Sequence, residues 1–291
     1  MIPGMPRIGL RCIASTRRHA AAMLAALAWA AAPGSTSAQD EVPFFTTPDK
    51  VTLAMLELAG VTPKDLVIDL GSGDGRIVIT AARRFGARGL GVEISPDLVA
   101  RSRENAEAAG VADRAEFRVQ DLFRTELAAA QVITMDLLSE VNMQLRPRLL
   151  ALAPGTRIVS HDWDMGEWQP DRSLTLDVPE KSIGREKRST VHLWIVPARV
   201  QGLWCTPGGT LAITQRFQNF SAALTAEGAD APLVVFDGRV NAERLHAGVD
   251  PAAAPITLRL VGEALHLTQG SGPASAFQDK RFQRAGPRGC G

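Results

Sequence analysis

Between Leu66 and His161 the chain repeats one rhythm, a short β-branched apolar run followed by a stretch of helical spacing. The runs are LVIDL (66–70), GLGVEI (89–94), AEFRVQ (115–120), QVITMDL (131–137) and TRIVSH (156–161). Between them lie DGRIVITAARRFG (74–86), SPDLVARSRENAEAAGV (95–111), a short helical stretch, and SEVNMQLRPRLLALAPG (139–155). Strands this apolar are covered on both faces, and their alternation with helices predicts a parallel sheet wound through right-handed crossovers. After Trp168 the rhythm changes. SLTLDV (173–178) and TVHLWIV (190–196), separated by the charged loop KSIGREKR (181–188), are expected to close the sheet as an antiparallel hairpin, making seven strands.

From about Val200 no helical period survives. GTLAITQRF, FSAALTA, PLVVFDGRV and ITLRLVGEALHLT alternate with period two, which predicts a separate all-β domain over residues 200–291. Upstream, PFFTTPDKVTLAMLELAGV (43–61) reads as an extended lead-in and a helix, with Thr47 as its cap, Pro48 in its first turn, and Val51, Met55 and Leu58 on one face.

Residues 1–38 have the layout of a secretory signal peptide. Arg7, Arg11, Arg17 and Arg18 precede the 13-residue apolar run AAAMLAALAWAAA, which is shorter than the roughly 20 residues a spanning helix needs. Cleavage after Ala38 removes four arginines and no acid, leaving 28 basic against 31 acidic residues over 39–199 and the β domain. The expected location is outside the cytoplasm, in the periplasm, or the cytoplasm if the start is placed too early. No membrane span is expected after cleavage. Cys12 leaves with the leader, and Cys205 and Cys290 either form a disulfide or stand as two unrelated thiols. The whole chain is 45% hydrophobic with a net charge of +1, which excludes a disordered polymer and any global field for nucleic acid.

In a wound α/β sheet, ligands sit over the carboxyl ends of the strands. Here those ends carry Asp69 with Gly71-Ser72-Gly73-Asp74-Gly75, then Glu93, Asp121, Asp136 and His161-Asp162. Glycines let the backbone bend sharply and let a ligand approach closely. A phosphate-binding P-loop needs Gly-Lys-Ser/Thr, and Asp74-Gly75-Arg76 stands instead. The dinucleotide fingerprint puts its third glycine one place later than Gly75. Asp69 and Asp74 would repel a pyrophosphate, and they suit a ligand that brings a cation and no phosphate.

DLGSGDGR, GVEIS and VQDLF together resemble the first three motifs of the class I, seven-strand, S-adenosylmethionine-dependent methyltransferases, over roughly residues 44 to 197. The resemblance implies a Rossmann-like α/β sheet, here followed by a small C-terminal antiparallel β domain, and S-adenosyl-L-methionine as cofactor. It implies Asp69, Gly71, Ser72, Gly73 and Gly75 under the methionine part, Glu93 on the ribose, and Asp121 near the adenine amino group. TPDKVTLAMLELAGV and GVEISPDLVARSR also resemble a subfamily containing mitochondrial protein-lysine methyltransferases, which implies a protein amine as acceptor; no nucleic-acid partner is expected, from the near-neutral net charge.

An amine acceptor must be held neutral and in line, with water kept out. Asp136, His161 and Asp162 are the candidate catalytic residues, with Trp163 beside them and Phe44 and Phe45 as a candidate lid. A metal reading of His161, Asp162 and Asp164 lacks a second ligand cluster. A second function class remains: a catalytically silent exported fold whose β domain recognises a partner or an envelope ligand.

Overall fold

A computed structural model describes residues 47–181, 186–248 and 255–290. The expected signal peptide and the Phe44–Phe45 lid lie outside those residues, as do four residues of the charged KSIGREKR loop. The core of the site-bearing half is a sheet of seven strands in the order β3-β2-β1-β4-β5-β7-β6. In chain order it runs α1 (Asp49–Leu58), β1 (Leu66–Leu70), α2 (Arg76–Phe85), β2 (Arg88–Glu93), α3 (Pro96–Ala108) and β3 (Ala115–Val119). A single 3-10 turn (Leu122–Arg124) stands where a short helix was expected. Then follow β4 (Val132–Met135), α4 (Ser139–Leu149), β5 (Arg157–His161), β6 (Arg172–Asp177) and β7 (Arg188–Ile195). The first five strands pair in parallel, while β7 runs antiparallel to both β5 and β6. This is the α/β class and the closing hairpin that the sequence predicts.

Alternation explains the double burial. Val67 joins Val51, Met55, Ile77 and Val191 on one face, and its neighbour Ile68 joins Leu145, Leu149, Trp168 and Trp194 on the other. Both strand faces are therefore dry, as the unbroken apolar runs require. β1 lies between β2 and β4, so the chain winds first to one side and then to the other. The strand order reverses between β1 and β4, which opens a crevice at their carboxyl ends.

The expected cap of α1 is not formed. Pro48 occupies the cap position without a side-chain hydrogen bond, and the Thr47 hydroxyl is used elsewhere. The helix expected over 139–155 ends at Leu149, two residues after Pro147, which it tolerates near its end.

Residues from Gly202 onward form a closed antiparallel barrel of eight strands in the order β10-β11-β12-β13-β14-β15-β8-β9. The strands are β8 (Gly202–Thr206), β9 (Gly209–Arg216), β10 (Asn219–Ala226), β11 (Val234–Asn241), β12 (Arg244–Ala247), β13 (Ile256–Val261), β14 (Ala264–Gln269) and β15 (Arg281–Arg284). Trp204, Phe220, Leu258, Leu265 and Phe282 fill its interior, and closure leaves no free edge. Cys205 of β8 is bonded to Cys290, with a Cα–Cα separation of 5.6 Å. Sheet and barrel together belong to one compact unit. Among the described residues no helix is long and apolar enough to cross a membrane.

Candidate active site

Asp69, next to last in β1, is paired in register with Thr134 of β4. That register lets the Thr134 hydroxyl donate to Asp69 Oδ1 at 2.7 Å in a fully buried setting. Burial pushes the Asp69 carboxyl up to about 7, the Thr134 bond opposes this, and the charges of Asp136, Glu93 and Asp74 add to it.

The chain then turns. Gly71 and Ser72 both donate their backbone N–H to Val92 O, at 2.9 and 3.0 Å, which fastens the loop to the neighbouring strand. Gly71, Gly73 and Gly75 have φ of 78°, 53° and 82°, a left-handed region that glycine enters without strain. A Cβ on Gly75 would stand 2.7 Å from the Phe117 ring and 2.8 Å from Ser102 Cβ. Glycine is thus needed here for packing as well as for the turn. The buried Ser72 hydroxyl has no hydrogen-bond partner among the described residues.

Asp74 was expected to add free negative charge to this loop. Instead Arg76 meets it with two donors, Nη2 to Oδ2 at 2.6 Å and Nε to Oδ1 at 3.0 Å. Burial raises the Asp74 carboxyl, but these contacts outweigh it and hold the group below the usual range. The acidity left for a cationic ligand therefore rests on Asp69, Glu93 and Asp136.

Glu93 ends β2. Its Oε2 accepts from Gly73 N at 3.1 Å, and its Oε1 accepts from Ile94 N and Ser95 N at 2.8 and 3.1 Å. Backbone donors thus hold this carboxylate beside the glycine turn. Asp121 follows β3 and caps the 3-10 turn, accepting from Phe123 N at 2.8 Å.

Across the crevice, Asp136 follows β4 and His161 ends β5. Asp136 Oδ2 accepts from the Thr47 hydroxyl at 2.6 Å and stands 3.0 Å from His161 Nδ1. His161 is 6% exposed, and its Nε2 lies 2.9 Å from Ser189 Oγ on β7. The parallel β4–β5 pairing makes this meeting possible. Asp162 sits on the far side of the ring, with Oδ2 3.3 Å from His161 Nε2. Its carboxylate is shared with the Lys181 ammonium and with Thr190 N. Trp163 is 45% exposed at the rim. The structure thus joins Asp136 to His161 and sets Asp162 behind them. Among the described residues no three His, Cys, Asp or Glu side chains form a metal cluster, so His161, Asp162 and Asp164 do not make one.

Four contributors escape sequence reading: Thr47, Arg76, Thr134 and Ser189. Only Thr134 leaves a signal, a hydroxyl in an otherwise apolar strand.

S-Adenosylmethionine suits this crevice on one structural count: the buried carboxyl at Asp69, beside Glu93 and Asp136, is relieved by positive charge.

The model of the ANTKMT methyltransferase domain matches residues 69–172, from Asp69 to the start of β6. A protein-lysine N-methyltransferase of Saccharolobus islandicus (strain REY15A) is 39% identical over 157 residues, which cover 53% of this chain and 94% of that protein. The adenine nucleotide translocase lysine N-methyltransferase of Mus musculus is 37% identical over 106 residues, 36% of this chain and 46% of the mouse protein. A solved RNA methyltransferase of Salinibacter ruber, in complex with S-adenosyl-L-homocysteine, is 52% identical. The match covers 54% of this chain and 96% of that one, at a TM-score of 0.49. Glycine turn, acidic strand ends and the family and archaeal matches converge: the chain belongs to the class I S-adenosylmethionine-dependent methyltransferases, close to the protein-lysine methyltransferases.

Proposed function

We propose that the protein methylates the ε-amine of a lysine on a protein partner, with Asp136 and His161 serving the acceptor. The observation that carries this reading is the Asp136–His161 contact at the carboxyl end of β4 and β5, across the crevice from the glycine turn. The names of the archaeal and mouse relatives support the acceptor class.

Bound S-adenosylmethionine supplies a methyl group activated by a sulfonium. The residues that would hold it are the Gly71–Gly75 turn, the Ser72 hydroxyl, Asp69, Glu93 for the ribose hydroxyls and Asp121 for the adenine amino group. An alkylammonium has no lone pair, so the acceptor must lose a proton before it attacks. Thr47 and His161 both engage Asp136 Oδ2, and Oδ1 is the oxygen offered to the incoming ammonium. Accepting an N–H there orients the amine and draws off its proton. Ser189 Oγ and Asp162 brace the His161 ring from its Nε2 side, so the pair keeps its geometry during the exchange. The Cys205–Cys290 bond supports an oxidising compartment, in line with an export leader at residues 1–38.

The test is transfer from methyl-tritiated donor to poly-L-lysine and to proteins and RNA of a bacterial extract, by the native sequence and by Asp136→Asn. Methyl-lysine after hydrolysis of labelled protein is the expected product, lost in Asp136→Asn. Label in RNA, or none despite donor binding, would overturn the lysine reading.

A further inference from the structure

We infer that the barrel is a working part of the acceptor side: its two-residue turn Phe217-Gln218 positions the segment from Asp162 to Asp171. The inference rests on the reading that the acceptor lies at the ends of β4 and β5.

The β9–β10 hairpin pairs Arg216 with Asn219, leaving Phe217 and Gln218 at its tip. Phe217 has φ of 54°, a conformation for which turns normally recruit glycine or asparagine. A bulky residue kept in such a conformation requires compensation from its surroundings, and the contacts supply it. The Phe217 ring stacks on Trp168, with centroids 6.3 Å apart and planes at 13°. The guanidinium of Arg146 from α4 lies over its face, 5.6 Å from the centroid. Gln218 is 1% exposed, and its Nε2 donates to Gln169 O at 2.7 Å. Two ion pairs flank the tip: Arg216 with Glu167 and Arg239 with Asp171, each at 2.8 Å.

Apart from Arg146, the partners in these contacts fall on one stretch of the sheet unit, the connection between β5 and β6. That stretch starts at Asp162, whose φ is 59°, and carries Trp163 at the rim. From the sheet side it is held by Arg146 Nη1 donating to Met165 O at 2.9 Å and by Asn142 Nδ2 donating to Trp163 O at 3.2 Å. Arg146 thus links both supports, bonding the segment and covering Phe217. Among the described residues, Arg216, Phe217, Gln218 and Arg239 make these bonds to the β5–β6 connection and to α4, with none to the glycine turn. The barrel therefore acts on acceptor geometry and leaves the donor side alone.

The experiment uses the full chain carrying Phe217→Ala, Phe217→Tyr or Gln218→Ala, with Phe236→Ala as a control that removes a barrel aromatic packed on Phe220. Hydrogen exchange at residues 163–169, S-adenosylhomocysteine binding by calorimetry, and transfer to poly-L-lysine are compared. In Phe217→Ala, exchange at 163–169 is expected to rise about tenfold, with the dissociation constant for S-adenosylhomocysteine held within about twofold. The acceptor KM rises while the donor KM holds, Phe217→Tyr restores both protection and acceptor KM, and Phe236→Ala leaves 163–169 protected. Unchanged exchange in Phe217→Ala, or an equal loss of S-adenosylhomocysteine affinity, would overturn the inference. If the native sequence fails to label poly-L-lysine, the lysine reading fails, and the exchange and binding arms still decide this one.

Discussion

Thr47 and Asp136 are 89 residues apart in the chain, and the hydroxyl of one donates to the carboxylate of the other at 2.6 Å. The carbonyl of Thr47 accepts in turn from Arg76, which pairs with Asp74 of the glycine turn. One residue thereby ties the glycine turn to the Asp136 carboxylate. Thr47→Val keeps the shape and removes the donor. A hydrogen bond to a charged group is worth about 1.5–3 kcal/mol, so transfer is expected to slow by about tenfold or more. Single-turnover rates check this, with donor affinity by calorimetry unchanged.

Asp69 makes stability depend on pH with a definite sign. The unfolded chain releases this proton near 3.8, whereas the folded protein keeps it until about 7. Between those values the native state binds more protons, so the stability of the ligand-free protein falls as pH rises. Asp69→Asn keeps an oxygen for the Thr134 hydroxyl and never ionises, so its melting temperature should be flatter over that window. The sulfonium is a charge the demethylated product lacks. Preference for S-adenosylmethionine over S-adenosylhomocysteine should therefore grow as pH rises towards about 7 and level off above it. Equal pH profiles for both ligands would remove Asp69 from the donor site.

Gly75→Ala meets two penalties, a positive φ and a Cβ pressed against Phe117 and Ser102. The expected loss is about 2–4 kcal/mol of stability together with donor binding, read by denaturant unfolding and calorimetry.

Cys205 and Cys290 close a loop of 85 residues around the barrel. Changing both to serine should lower stability by about 2–4 kcal/mol. Unfolding in guanidinium with and without reductant checks the figure: reductant should lower the midpoint of the native protein and leave that of the double variant in place.

Much of this was legible in advance. The five parallel strands are short and apolar with helical segments between them, so burial on both faces could be read directly. Glu93 and the glycine turn were legible because local geometry demands them. The Asp136–His161 contact was not, since it depends on which strands lie side by side. Thr47 was read as a cap because it precedes Pro48, but a carboxylate distant in sequence competes better for its hydroxyl. β8, β12 and β15 are four or five residues long and carry Arg, His and Cys, so their alternation is too brief to register. Phe217 gives no turn signal at all, and only the stacking partner across the junction explains it.

β15 lies beside β8 in the barrel, with Gln283 opposite Cys205 and Arg284 opposite Trp204. The module therefore opens and shuts at one seam and hangs from the sheet by a single covalent crossing near Val200. Its ladder would survive a circular permutation that joins the strands across that seam and reopens the chain at the Gly262-Glu263 turn.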